Sequence, residues 1–219
     1  MAWADYWGGL SRPAHEAIAD AAAIGPRTRM LDVGCGTGEL CALALDRGAT
    51  VAGLDADTAM VEVARGRAPT ADLRVGRLEA LPWEDDAFDV VTGVNAFQFA
   101  DDVVAALAEA GRVTRPGGLV AICNWSGRRE VFDVTGPSAP SALREPGGIE
   151  DLARRAGLQP RDAREVDVPF VVPDAETLVR AFAADDREIS PAAAARYRRP
   201  DGSYRFENTF RYVLAESRR

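Results

Sequence analysis

The sequence predicts an α/β fold in which a mostly parallel sheet is wound with helices on both faces. Two observations lead to this prediction. From residue 29 to residue 125, short apolar segments alternate with amphipathic ones, as strands alternate with helices. A glycine-rich turn at residues 31–39 joins the first such strand to the first such helix. Because strand–helix–strand units cross over with a fixed hand, the alternation favours a doubly wound parallel sheet.

The elements of this core follow in order along the chain. Strands are predicted at residues 29–33, 50–55, 72–75, 88–94 and 119–125. Helices are predicted at residues 39–47, 58–65 and 101–113. Gly48 can end the first of these helices in the left-handed conformation, and Asp57 can cap the start of the second.

The flanking segments complete one predicted domain of 219 residues. Residues 1–27 are interpreted as an N-terminal helix and lid, residues 28–125 as the cofactor-binding core, and residues 126–219 as a C-terminal part with acceptor-region helices. In that last part a loop runs to residue 148. It is followed by a helix at 149–156, a strand around 165–171, two helices within 174–199 and a strand at 209–215. The alanine patch at 192–195 suits a helix, and residues 201–204 suit a tight turn.

Composition and charge exclude several classes of function. The longest apolar runs have five or six residues, far short of the roughly 20 that cross a bilayer. With no secretory signal in residues 1–9, we expect a cytoplasmic protein without a membrane partner. The net charge of −8 argues against nucleic acid as a partner.

The rare residue types exclude further chemistry. The chain has no lysine and a single histidine, His15, so a phosphate-binding lysine, a lysine Schiff base and a multi-histidine metal site are ruled out. Cys35, Cys41 and Cys123 lack metal or redox spacing and are expected to be reduced structural thiols. No metal is expected.

The glycine turn and the end of the second strand carry the main functional signal. Gly34, Gly36 and Gly38 alternate, so the backbone can turn tightly and approach a ligand. A dinucleotide fingerprint would need a third glycine where the chain has Glu39, which disfavours a nicotinamide cofactor. Asp55 ends the second strand, where a carboxylate can accept hydrogen bonds from both ribose hydroxyls.

These motifs together resemble the class I S-adenosylmethionine-dependent methyltransferases, and within them the ubiquinone and menaquinone biosynthesis methyltransferases. The resemblance rests on four segments in order: residues 31–39, residues 53–55 followed by Met60, residues 76–83 leading into 88–91, and residues 112–118. It implies a Rossmann-like sheet of seven strands with an antiparallel last strand. It also implies methyl transfer from S-adenosylmethionine to an oxygen, nitrogen or carbon of a small-molecule acceptor.

The resemblance also implies which residues surround the cofactor. Those expected around its methionine end are Asp32, Gly34, Cys35, Gly36 and Asn95. Those expected around its ribose and adenine are Asp55, Ala56, Met60, Leu78 and Glu79.

Two positions depart from the family pattern. Relatives usually carry an acid where this chain has Arg77, so that adenine contact is lost, moved to Glu79 or made by backbone. The second departure follows the fourth strand, where relatives often have a pair of histidines. Residues 95–99 contain no histidine here, so this loop supplies no histidine base. Methyl transfer mainly requires two reactants held close in a dry pocket, so a missing base is no objection.

Three groups of residues have two interpretations each. His15 is either a general base or a surface residue beside Glu16, and Tyr6 with Trp7 forms either a lid over the cofactor or plain packing. Candidates for the acceptor pocket, with core packing as the alternative, are Phe97, Gln98, Phe99 and Trp125.

Alternatives to methyl transfer also stay open. The protein could bind S-adenosylmethionine as a sensor, or use it in a different reaction, because fold does not settle function. A nicotinamide-dependent oxidoreductase ranks last because of Glu39. A homodimer stays open.

Overall fold

The computed structural model describes residues 6–7, 9–133, 141–184 and 187–218. Its strands are β1 (Arg29–Val33), β2 (Thr50–Asp55), β3 (Asp72–Val75), β4 (Phe88–Val94), β5 (Thr114–Arg129), β6 (Gln159–Asp167), β7 (Phe170–Val172), β8 (Tyr204–Phe206) and β9 (Asn208–Glu216). Seven of them form one sheet in the order β3-β2-β1-β4-β5-β9-β6, and β7 pairs with β8 in a small second sheet.

The main sheet confirms the predicted architecture. Strands β1 to β5 run parallel, and β9 runs antiparallel to both of its neighbours, β5 and β6. The strand order reverses between β1 and β4. In open α/β sheets, the crevice beyond the carboxyl ends of the strands at such a switch point is where ligands bind.

Helices cover both faces of this sheet. They are α1 (Arg12–Ala21), α2 (Glu39–Asp46), α3 (Thr58–Arg67), α4 (Val103–Val113), α5 (Glu130–Asp133), α6 (Gly148–Arg155) and α7 (Ala175–Ala183). Helices α1, α2 and α3 contribute to the core on one face, and α4 and α6 to the core on the other. No helix in the described ranges combines the length and apolarity needed to span a bilayer.

The predicted helix signals act as expected. Gly48 follows α2 with a φ of +85°, a left-handed conformation that ends the helix without a Cβ penalty. The Asp57 carboxylate accepts a hydrogen bond of 2.8 Å from the Ala59 amide at the start of α3. Asp102 caps α4 in the same way, accepting from the Val104 and Ala105 amides.

An aromatic cluster of Trp7, Phe170, Phe182 and Phe206 ties the N-terminal segment to the C-terminal part. The Trp7 ring stacks on Phe170 with centroids 4.2 Å apart, and its Nε1 donates a 2.7 Å hydrogen bond to the Ala181 carbonyl. Phe182 meets Trp7 edge-on and also packs near Phe206. Trp7 is therefore held in place from both sides. Residues 1–5 and 8 of the predicted lid lie outside the described residues.

The C-terminal part differs from the prediction in two places. The single strand expected around residues 165–171 is wrong, because β6 ends at Asp167 and β7 begins at Phe170 in a different sheet. Pro169 lies between them and has no N–H to continue the ladder. Strand β5 is longer than predicted, and its extension to Arg129 pairs with Asn208 of β9.

The helix predicted for the alanine patch at 192–195 is also wrong. Turns lead there into a short 3-10 helix, Ala195–Tyr197. Within residues 174–199, α7 is thus the one α-helix in the described part, with residues 185–186 outside it. Only Ala194 of the patch is buried, so a longer helix would have little apolar surface to pack. The turn at 201–204 is confirmed, with Gly202 at φ +91° and Asp201 accepting from the Ser203 amide.

Candidate functional site

A cavity of about 1000 Å³ opens at the carboxyl ends of the parallel strands, where the sheet order reverses. Its wall includes the glycine turn after β1, the residues after β2 and β3, the loop after β4 and Trp125 of β5. Trp7, Leu10 and Ser11 close it from the N-terminal side. Its position and size fit a small-molecule site.

The glycine turn lies against the end of β2. The Gly34 and Cys35 amides donate hydrogen bonds of 2.7 and 3.0 Å to the Leu54 carbonyl. Gly34 has a φ of +67°, and a Cβ built on it would lie 2.4 Å from the Ala96 Cβ. The turn therefore needs glycine at residue 34 for both conformation and space.

Asp55 holds the turn and still has acceptor capacity. Its Oδ2 accepts a 2.8 Å hydrogen bond from the Gly36 amide, and its Oδ1 accepts one of 2.9 Å from the Asp57 amide. An ionised carboxylate has about four lone-pair sites, so about two remain for a ligand. Since Asp55 lines the cavity, those sites are available to a hydroxyl pair there.

Asp32 lies behind the glycine turn and is only 4% exposed. The Thr92 hydroxyl donates a 2.7 Å hydrogen bond to its Oδ1. Burial raises the pKa of the Asp32 carboxyl to about 7, and the nearby carboxylates of Asp55 and Glu39 add to that rise. A cation bound in the cavity would favour the ionised form of this acid.

Two amide side chains of the loop after β4 present unused acceptors. Asn95 has a φ of +52°, and its backbone amide donates to the Cys123 carbonyl at 2.9 Å. The Oδ1 of Asn95 and the Oε1 of Gln98 are buried, and neither has a hydrogen-bond partner among the described residues. Both residues line the cavity. A buried acceptor left unpaired costs about 1–3 kcal/mol, so a ligand donor is expected here.

Arg77, at the family's acidic position, belongs to a charged network at the rim of the cavity. Its guanidinium pairs with Asp101 and lies 3.6 Å from the Glu79 Oε2. The Glu79 Oε1 accepts a 2.7 Å hydrogen bond from the Asp101 amide. Arg77 is therefore neutralised by its neighbours, and Glu79 is held where it lines the cavity.

Most of the predicted cofactor residues share this cavity. Those that line it are Gly34, Gly36, Asp55, Ala56, Met60, Leu78, Glu79 and Asn95. Asp32 and Cys35 are buried outside its lining, and Cys35, Cys41 and Cys123 are all free thiols.

The predicted acceptor-side residues separate into two groups. Trp7, Gln98, Phe99 and Trp125 line the cavity, and Phe99 is 78% exposed at its mouth. Phe97 is only 2% exposed and packs against Gly93, so it lies in the core. Tyr6 packs against the core cluster and does not line the cavity.

His15 also lies outside the cavity lining, on α1. Burial lowers the pKa of its imidazole to about 4, although Glu39 and Glu16 partly oppose that change. The side chain is therefore neutral at pH 7. The lowered pKa and the position outside the cavity lining agree better with a structural role than with a base.

Several lining residues have no counterpart in the sequence prediction. They include Leu10, Ser11, Asp57, Ser141, Arg144 and Arg187. Arg144 belongs to a short 3-10 helix, Ala142–Arg144, that follows a proline-bearing segment without periodicity. Only the tertiary fold brings it to the cavity. Residues 134–140 of that predicted loop lie outside the described residues.

Known proteins resemble parts of this chain in sequence. Residues 31–122 match the family model of a methyltransferase domain. A malonyl-[acyl-carrier protein] O-methyltransferase of Serratia marcescens is 37% identical over 111 residues, which cover 51% of this chain and 44% of that protein. A demethylmenaquinone methyltransferase of Renibacterium salmoninarum is 36% identical over 118 residues, covering 54% and 50%. The chain spans about half the length of these curated relatives.

A solved structure extends the likeness to nearly the whole chain. The YcgJ protein from Bacillus subtilis superposes with a TM-score of 0.66 at 21% identity, covering 94% of this chain and 98% of that one. This likeness shows the fold alone. The matched sequence segment contains the glycine turn, Asp55 and Asn95, which lie together in the cavity. By its sequence, the matched segment at residues 31–122 is a methyltransferase domain.

Proposed function

We propose that the protein transfers a methyl group from S-adenosylmethionine to a small-molecule acceptor. The observation that carries the proposal is one cavity in which the glycine turn, the Asp55 carboxylate and two unpaired amide oxygens meet. The glycine turn lets a ligand approach the backbone, and the carboxylate and amide oxygens can accept hydrogen bonds from it. S-adenosylmethionine has ribose hydroxyls and an ammonium group that can donate them.

The methionine end of the cofactor fits the side of the cavity formed by Gly34 and Asn95. Its ammonium group has donors for the Asn95 Oδ1 and the Gln98 Oε1, which have no other partner among the described residues. Asp32, behind the turn, would add a favourable field for the positive sulfonium and ammonium groups once it is ionised.

The adenosine end fits the residues after β2 and β3. The spare lone pairs of Asp55 would accept hydrogen bonds from the ribose hydroxyls. Apolar parts of Ala56, Met60 and Leu78 would enclose the adenine ring, with Glu79 at its edge. A contact from Glu79 would replace the acid that relatives carry at the position of Arg77.

When bound, the cofactor supplies a methyl group already activated by its sulfonium sulfur. The chain would then hold the two reactants in line and exclude water. Trp7 and Trp125, which line the cavity, provide apolar walls for this purpose. A cavity of about 1000 Å³ is at the upper end of ordinary ligand pockets, which leaves room for an acceptor beside the cofactor.

The alternatives receive no separate support from the described residues. A cofactor sensor, or a catalyst of a different reaction, would need a feature that methyl transfer does not, and none stands out at the cavity. The nicotinamide alternative is opposed by Glu39, whose carboxylate pairs with Arg67 where a dinucleotide motif has glycine.

Calorimetric titration with S-adenosylmethionine, S-adenosylhomocysteine and NADH tests the proposal. We expect micromolar binding of the two adenosyl compounds and none of NADH. An Asn95→Leu variant should weaken the binding of both adenosyl compounds because it removes a hydrogen-bond acceptor. Asp72→Asn, an exposed change outside the cavity, should leave their binding unchanged. Binding of NADH alone, or no binding at all, would overturn the proposal. An acceptor screen that follows release of S-adenosylhomocysteine then tests transfer itself.

A further inference from the structure

We propose that the methyl acceptor carries an anionic group, a carboxylate or a phosphate, which Arg144 binds on the β5 side of the cavity. This inference rests on the proposed function and adds the chemical class of the acceptor. Arg144 lines the cavity, and its guanidinium has no ion-pair partner among the described residues.

The surroundings of Arg144 leave its guanidinium uncompensated. The residue is partly buried and lines the cavity with Ser141 and Trp125. Among the described residues, no acidic side chain lies within ion-pair distance of it. Burial and the nearby charge of Arg129 hold the pKa of Arg144 below its usual range, and Glu145 only partly offsets them.

Two other partly buried arginines, Arg112 and Arg211, are paired with acidic side chains. Arg112 donates to the carboxylates of Glu109 and Asp85 and to two backbone carbonyls. Arg211 donates to both oxygens of Glu150. A partly desolvated guanidinium without such partners is costly, so Arg144 has a reason to be there other than packing.

The charges around the cavity are separated by side. The acidic side chains on the β2 to β4 side already have partners. Asp55, Asp57 and Glu79 accept hydrogen bonds from backbone amides, and Asp101 pairs with Arg77. None of them is within ion-pair distance of Arg144. The β5 side is therefore left positive, and Arg129 adds to that potential.

The chemistry of the site selects the ligand class. A guanidinium presents a planar fork of donors that matches a carboxylate or a phosphate with two parallel hydrogen bonds. Trp125, partly buried on β5, and Phe99, exposed at the mouth, add aromatic surface to the same cavity. The acceptor that fits is a small organic anion with an apolar or aromatic body.

The test uses fluorinated probes and protein saturated with S-adenosylhomocysteine. Fluorine NMR titrations compare 4-fluorobenzoate and 4-fluorophenyl phosphate with the neutral 4-fluorobenzamide. We expect one anion, or both, to bind at least about tenfold more tightly than the amide, a difference of about 1.4 kcal/mol. Arg144→Gln should remove that preference. Arg155→Gln, an exposed change on α6, should leave it intact.

Each outcome decides between the proposals. Tighter binding of the benzoate or of the phosphate identifies the anion. Equal binding of anion and amide, no anion binding, or an unchanged preference in Arg144→Gln would overturn the inference. If Arg144→Gln weakens the binding of S-adenosylhomocysteine by the same factor as the binding of the anionic probe, Arg144 binds the cofactor's own carboxylate and the inference is wrong. If the unaltered protein does not bind S-adenosylhomocysteine, the proposed function fails and this inference fails with it.

Discussion

Replacing Asp55 by alanine is the sharpest test of how the cavity holds the cofactor. The carboxylate accepts one hydrogen bond from the Gly36 amide and one from the Asp57 amide, and about two of its lone pairs remain for the ribose. A hydrogen bond to a charged group contributes about 1.5–3 kcal/mol, so Asp55→Ala should raise the Kd for S-adenosylhomocysteine roughly ten- to hundredfold. Calorimetry on both proteins measures the change.

Part of that loss could come from a loosened glycine turn. The matched control is Asp102→Ala, which removes the cap of α4 at a residue outside the cavity lining. This control should cost about 1 kcal/mol of unfolding free energy and leave the Kd nearly unchanged.

Ligands that lack one ribose hydroxyl separate the two effects. The 2′-deoxy and 3′-deoxy forms of S-adenosylhomocysteine should bind the unaltered protein more weakly than the parent compound. In Asp55→Ala that penalty should vanish, because the acceptor is gone. If each missing hydroxyl costs the same in both proteins, the carboxylate does not contact the ribose, and Asp55 serves only to hold the turn.

Five further substitutions test other parts of the structure. Burial raises the pKa of Asp32 from 3.8 to about 7, so the free energy of unfolding should fall as pH rises from about 4 to about 7 and change little above that. Asp32→Asn should therefore increase the unfolding free energy by up to about 4 kcal/mol at pH 8 and little at pH 4, and an equal effect at both would contradict this. The pKa of His15 is lowered to about 4, so the unaltered protein should lose up to about 3 kcal/mol as pH falls from about 6.5 to 4. His15→Gln should flatten that part of the profile in urea denaturation. Gly34→Ala should cost more than about 2 kcal/mol, from strain and the clash with Ala96, whereas Gly36→Ala, with open space around its Cβ, should cost about 1–2 kcal/mol. Trp7→Phe should cost about 1–3 kcal/mol because the Ala181 carbonyl loses its donor, and an unchanged thermal midpoint would show that this bond contributes nothing.

The core of the fold was predictable because its signals are local. Strands β1, β2 and β4 are mostly apolar and buried, as expected for parallel strands covered on both faces. Gly34, Gly48 and Asp57 mark where strands and helices meet. Position at a strand end predicted Asp55, and the family resemblance predicted Asn95; both line the cavity.

The remainder depends on contacts that no local pattern records. Strand β6 is rich in charged residues and mostly exposed on one side, so its sequence has little strand character, and only pairing with β9 extends it. The alanines at 192–195 favour helix intrinsically, but tertiary packing overrides such a preference. Arg144 has no motif around it. Only the folded structure shows that it shares the cavity lining with Trp125 and has no acidic partner among the described residues.

The position of β9 between β5 and β6 also bears on how the chain folds. Strand β6 precedes β9 in the sequence and pairs with β9 alone among the described strands, so β6 joins the main sheet only when β9 has paired with β5. Contacts of such long sequence separation form late, because the loop must close before pairing stabilises it. The half that holds the glycine turn and Asp55 can therefore assemble first. The other wall of the cavity then forms in a second stage, and Trp7 reaches its place only when Phe170 and Phe182 are in theirs.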